Sequence, residues 1–247
     1  MDERRPKPPT VRARATVLAA ENTTPRMRRL TVGGPEVRAF LGTPGVDGAA
    51  AWVKVFEPQG EGRAYTIRRM DRAAGTLELD FVLHGDQGPA GPVSTWAEGA
   101  RVGDVVQIAG PRQGGFACPA ATQWVLLAGD ATALPAIQSI ARSLPQGMAA
   151  KAYVEVASPE EAQPMESAAP LRTHWITADT AQPGLALQHA MMFRPLPPGP
   201  GYAWLAGESG AVRALRDHLQ THWGAERLQV SAKGYWKAGQ RDFRNTD

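Results

Sequence analysis

The chain has 247 residues, 43% hydrophobic and 21% charged, which suits one large domain or two of ordinary size and argues against pervasive disorder. Twenty-seven Lys and Arg against 24 Asp and Glu leave a formal charge of +3, too mild to point to nucleic acid. Cys118 is the single cysteine, so neither an internal disulfide nor a Cys-ligated iron–sulfur cluster can form, and the apolar runs are too short to span a bilayer.

Residues 1–11 carry charge and proline without an apolar run, so they read as a flexible tail rather than a signal peptide, and the expectation is a reduced, cytoplasmic protein. From 12 to 118 the pattern is that of strands. VRARATVLAAENTTPRMRRLTVGG gives two around a polar turn, AWVKVFEP a third ended by Pro58, and RAYTIR a fourth. TLELDFVLH alternates, with Leu77, Leu79, Phe81 and Leu83 on one face and Glu78, Asp80, Val82 and His84 on the other; GDVVQIAGP closes the set. Short strands divided by Gly/Pro turns predict a small antiparallel β-barrel. From 119 to 247 the style changes. WVLLAGD, KAYVEVAS, HWIT and YAWLAGE are apolar strands, TALPAIQSIARSL and SGAVRALRDHLQTHW are helices, and Val212, Leu215 and Leu219 form one stripe. Apolar strands alternating with helices predict a doubly wound parallel sheet covered on both faces. Ligands of such sheets lie beyond the carboxyl ends of the strands, where AGD and AGE stand.

RAYTIR holds more fixed charge than a core strand needs. In an extended strand Arg63, Tyr65 and Ile67 face one way and Ala64, Thr66 and Arg68 the other. Read alone, solvated arginines on a barrel strand account for it as well as a ligand does. HGDQGPAGPVSTWAEG turns through Gly and Pro into a short helix, whose first N–H groups, at Val93, Ser94 and Thr95, make an anion site. In AGDATALPAI, Gly129 supplies a tight turn, Asp130 and Thr132 are expected to cap a helix, and Pro135 falls in its first turn. This is not the GxGxxG fingerprint. His218 and His222 stand four apart on a predicted helix, but no third ligand is near, and no metal site is expected.

Seven segments in order (VKVFEP, RAYTIR, DFVLHGDQGPAGPVSTWA, GPR, LAGDATALPAI, WLAGE and GYWKAG) resemble the siderophore-interacting proteins, cytoplasmic ferric-siderophore reductases of the ferredoxin-reductase-like flavoproteins. The resemblance spans about residues 12–240 and implies an FAD-binding barrel followed by an NAD(P)-binding-like domain. It implies that a flavin lies along the face of Arg63 and Tyr65, the guanidinium on the pyrophosphate and the phenol ring on the isoalloxazine. Thr66, Ile67 and Arg68 are expected at the pyrimidine edge, His84 and Gly85 at the flavin or ribityl, and Tyr235 and Trp236 over the flavin edge. Trp96 is read either as stacking on adenine or as a core residue.

By the same resemblance the protein carries electrons from NAD(P)H through FAD to an Fe(III)-siderophore, so no acid–base catalyst is nominated. Relatives have an acidic residue where this chain has Ala131, and the Cys-Gly pair of nicotinamide-using ferredoxin reductases is missing, so ferredoxin is an alternative donor. Glu160 and Glu161 stand where an adenosine ribose would sit, a hint toward NADH. The chelate is expected in an open positive bowl formed by Lys54, Arg112 and Lys237, flanked by Lys233 and Arg241. Two alternatives are kept: a flavin or ferredoxin reductase, and a ferric-siderophore carrier without turnover. A monomer that neither inserts in a membrane nor binds nucleic acid is expected.

Overall fold

In the computed structural model, residues 10–58, 60, 62–83, 91–178, 181–192, 194–224, 227–240 and 243 are described; His84, Gly85 and Arg241 lie outside them. Contacts divide the chain into Met1–Gly114 and Gly115–Asp247.

In the first unit β1 (Val11–Thr24), β2 (Met27–Gly33), β3 (Trp52–Phe56), β4 (Gly62–Asp71), β5 (Thr76–Val82) and β6 (Val105–Arg112) close an antiparallel barrel in the order β1-β2-β5-β4-β3-β6. The alternation read in TLELDFV is the one the barrel uses. Leu77, Leu79 and Phe81 are fully buried with Leu30, Val32, Val53, Val55 and Ile108. Two short helices, α1 (Pro35–Phe40) and α2 (Pro92–Gly99), pack on this core. Sequence reading does not find α1, which is only six residues long and is set by Pro at its start and by burial of Val37 and Phe40. Each such side chain contributes roughly 1.5–3 kcal/mol once buried.

The outward side of β5 is not left to water. Arg29, directly across on β2, grips Asp80 with two hydrogen bonds of 2.7 and 2.8 Å. From the other side Arg68 donates to Glu78 at 2.5 Å, and its Nε lies 3.5 Å from Asp80. The register of β4 against β5 shifts between Ile67 and Arg69, making Arg68 the extra residue of a bulge. Strict alternation therefore fails here, and Thr66, Ile67 and Arg68 are all buried.

In the second unit β7 (Trp124–Asp130), β8 (Ala149–Val156), β9 (Leu171–Thr177), β10 (Gly201–Glu208) and β11 (Leu228–Trp236) form a parallel sheet ordered β11-β10-β7-β8-β9. The helices are α3 (Leu134–Ser143), α4 (Leu185–Met192) and α5 (Ser209–Trp223). The predicted stripe of α5 is buried against Leu126, Ala128 and Leu205. The unit begins at Gly115 because Tyr202 holds the chain there. Its hydroxyl donates to the Gly115 carbonyl (3.0 Å) and accepts the Ala117 N–H (3.1 Å), while Ser231 Oγ donates to the same carbonyl (2.8 Å). Strand order reverses between β7 and β10, which puts the switch point at their carboxyl ends. Among the described residues no helix is long and apolar enough to cross a membrane.

Candidate functional site

Within the barrel, Arg63 and Tyr65 come together on the inward face of β4, close enough for the Arg63 charge to pull on the Tyr65 phenol. Burial dominates and pushes that phenol well above its ordinary value. The Tyr65 ring packs on Phe81 with centroids 4.2 Å apart, and Phe81 meets Trp96 of α2 edge-on at 6.4 Å. Trp96 is thus a core-packing residue. Ser94 Oγ donates to the Val82 carbonyl (2.8 Å), anchoring the start of α2 at the end of β5. Of the three N–H groups expected there, that of Thr95 is spent on the Gly91 carbonyl (2.9 Å), leaving those of Val93 and Ser94 without an intrahelical partner by position. The Ile67 N–H is likewise taken, by the Ala51 carbonyl (2.8 Å). A guanidinium, an aromatic ring and two first-turn N–H groups at one end of the barrel fit a dinucleotide's pyrophosphate and ring. Arg68 is not part of this group: its charge is directed to Glu78 and Asp80.

On the outer face of the barrel, Lys54 and Arg112 are exposed on neighbouring strands, β3 and β6. Lys54 Nζ lies 5.2 Å from the Phe56 ring centre, and the Arg112 guanidinium 5.6 Å from that of Trp52. Arg12 joins them, also 5.2 Å from Phe56. Sequence reasoning missed Arg12, Trp52 and Phe56, although the alternation of Trp52, Lys54 and Phe56 on one face could have found the aromatics.

At the switch point of the second unit, the Asp130 carboxylate accepts four hydrogen bonds: Thr132 N–H (2.9 Å), Thr132 hydroxyl (2.5 Å), Glu208 N–H (2.8 Å) and Trp236 indole N–H (2.8 Å). The expected cap of α3 by Asp130 and Thr132 is therefore corrected: its N-cap residue is Ala133, and no side chain caps it. Glu208 does cap its helix, accepting the Ala211 N–H at 2.8 Å. Tyr235 packs edge-on against Trp204 (6.4 Å). Lys237 is exposed just past β11, and Lys233 is partly buried. Glu160 is exposed in a turn after β8, its carboxyl held below the usual range by a Ser158 hydrogen bond, whereas Glu161 is buried.

Glu155, at the end of β8, accepts the N–H groups of Gly184 (2.6 Å) and Leu187 (2.9 Å). Burial holds its carboxyl above the ordinary 4.5, with Asp130's charge adding to the effect. The folded chain thus binds this proton more tightly than the unfolded chain. The stability it confers is full below the ordinary value and is lost as pH rises through the raised one. In Glu155→Gln that decline should be absent when urea stability is compared across pH with the wild type.

A family model described as a siderophore-interacting FAD-binding domain matches residues 47–115, and one described as siderophore-interacting protein matches residues 122–239. The chain belongs to the siderophore-interacting protein family. An uncharacterized protein of Mycobacterium tuberculosis is 29% identical to it over 92% of this chain and 90% of that protein. The ferric vibriobactin reductase ViuB of Vibrio cholerae is 30% identical over 73% of this chain and 66% of its own. The crystal structure of a siderophore utilization protein from T. fusca matches with a TM-score of 0.82 at 27% identity, covering 97% of both chains. The Arg63–Tyr65 pair of this siderophore-interacting protein falls inside the segment matched as FAD-binding, and Asp130, Trp236 and Lys237 inside the other.

Proposed function

We propose that the chain is a cytoplasmic ferric-siderophore reductase that passes electrons from NAD(P)H to chelated Fe(III), releasing Fe(II). FAD, when bound, supplies the link between a two-electron donor and a one-electron acceptor. Arg63 and the N–H groups of Val93 and Ser94 would hold its pyrophosphate, with Tyr65 along its ring system. Lys54 and Arg112, with Arg12 beside them, give the barrel's outer face a positive field suited to an anionic chelate, and Lys237 adds an exposed charge in the second unit. No side chain need move a proton. The observation that carries the reading is Arg63 beside Tyr65 on β4, within the segment matched as FAD-binding; the likeness to a ferric vibriobactin reductase supports the acceptor.

Arg63→Ala should weaken FAD binding about tenfold or more, since a charge-assisted contact to phosphate contributes about 1.5–3 kcal/mol. Titrating apoprotein with FAD and following flavin fluorescence measures this, and unchanged affinity would remove Arg63 from the site. The activity itself is tested by anaerobic reduction of a ferric chelate with NADH, NADPH or reduced ferredoxin. The exposed Glu160 favours a ribose with a free 2′-hydroxyl, hence NADH. Ferredoxin is a second reading with its own support, because the Trp236 indole already occupies the end of β7 on the crevice that a nicotinamide would enter. Faster flavin bleaching with ferredoxin than with either nucleotide would decide for it; no iron reduction with any donor would sink the proposal.

A further inference from the structure

We infer that the second unit holds a separate binding cleft, at the amino ends of β7, β8 and β9, for a small organic anion with an apolar body. The cleft measures about 280 Å³, near the lower end of small-molecule sites. Trp124, Leu126, Pro170 and Leu196 give it apolar walls, and Lys151 and Arg172 line it as well. It continues past Leu126, Lys151 and Leu196 into a smaller recess that Arg194 borders. At the rise of an extended chain, the β7 residues that line it, Trp124 to Leu126, lie about 13–20 Å from the switch-point residue Asp130. It is therefore not part of the crevice where a redox donor would bind.

The charges are what define the occupant. Lys151 and Arg172 stand directly opposite each other on β8 and β9, an arrangement that costs stability when nothing lies between like charges. Among the described residues no acidic side chain forms an ion pair with Lys151, Arg172 or Arg194. All three bear on His174, which stacks on Tyr153 with ring centres 4.6 Å apart. Burial first, and then these cations, keep that imidazole below its ordinary value, so the site disfavours a further positive charge there. An anionic head on the two arginines and the lysine would relieve the repulsion. An aliphatic or aromatic body would cover the exposed faces of Leu196 and Pro197, and a neutral molecule would satisfy only half of the site.

Isothermal titration of the FAD-loaded protein with octanoate, and with octanol as the neutral match, tests the assignment. Octanoate should bind one to one, at least tenfold more tightly than octanol, and more weakly as salt is raised. The double variant Lys151→Gln with Arg172→Gln should lose at least tenfold in octanoate affinity while melting no lower than wild type without ligand, because it also removes the repulsion. Leu196→Ser should weaken octanoate and octanol alike. Equal binding of the two probes, undiminished octanoate binding in the double variant, or no binding at millimolar octanoate would each overturn the inference.

Discussion

Asp130→Ala should destabilise the second unit by about 2–4 kcal/mol, because four donors lose one acceptor where water reaches poorly. The carboxylate ties the ends of three strands: it belongs to β7, Glu208 to β10 and Trp236 to β11. The turn of β10 is shaped around it. Gly207 sits at φ 134°, and a Cβ there would stand 2.5 Å from Asp130 Oδ2. Asparagine should recover only part of the loss, since both Glu208 and Trp236 donate to the same oxygen, and an amide offers one acceptor and a second donor instead. Trp236→Phe keeps the ring and removes one donor, costing about 1 kcal/mol, and a cycle with Asp130→Ala should show coupling of similar size. Urea unfolding of the wild type and the four variants measures these terms. A cost for Asp130→Ala below about 0.5 kcal/mol, the range of ordinary surface changes, would show that the latch is idle.

That latch explains how far the sequence could be read. Asp130 followed by Thr132 and Pro135 has the local composition of a helix cap, and on local signals that expectation was the correct one to hold. What defeats it is that β7 runs through Asp130 and the helix begins beyond Ala133, while the other carboxylate oxygen is held by Glu208 and by Trp236, 106 residues away. Pairings over such distances leave no periodic trace. Period-two and fully apolar patterns do, which is why the barrel strands and four of the five parallel strands were legible together with the outward Glu78 and Asp80, whereas β11, mostly half-buried, was not. α4 was not legible, because Leu185 and Met192 are exposed while Leu187 and Met191 are buried, so its apolar residues mark no single face. Arg63 and Tyr65 could be placed together from alternation alone. Arg68 could not, since a bulge is a property of how β4 meets β5 and not of either strand by itself.

Asp80→Ala should cost the barrel about 3–5 kcal/mol, the range for removing one partner of a buried ion pair. The Asp80 side chain is fully enclosed, and the Arg29 and Arg68 side chains that share it are only 14% and 9% exposed. Without the carboxylate, two guanidinium groups face each other across β5 with the partly exposed Glu78 as the nearest compensation. Arg68→Ala should be milder, about 1–3 kcal/mol, because Arg29 keeps its two hydrogen bonds to Asp80. The same variant separates two roles for Arg68. If it serves the barrel, Arg68→Ala lowers the melting temperature while FAD affinity, measured well below that temperature, stays within about twofold of wild type. If it serves the flavin, affinity or flavin reduction potential shifts while melting does not. The direction of its guanidinium, toward Glu78 and Asp80 on the face away from Arg63 and Tyr65, predicts the first outcome.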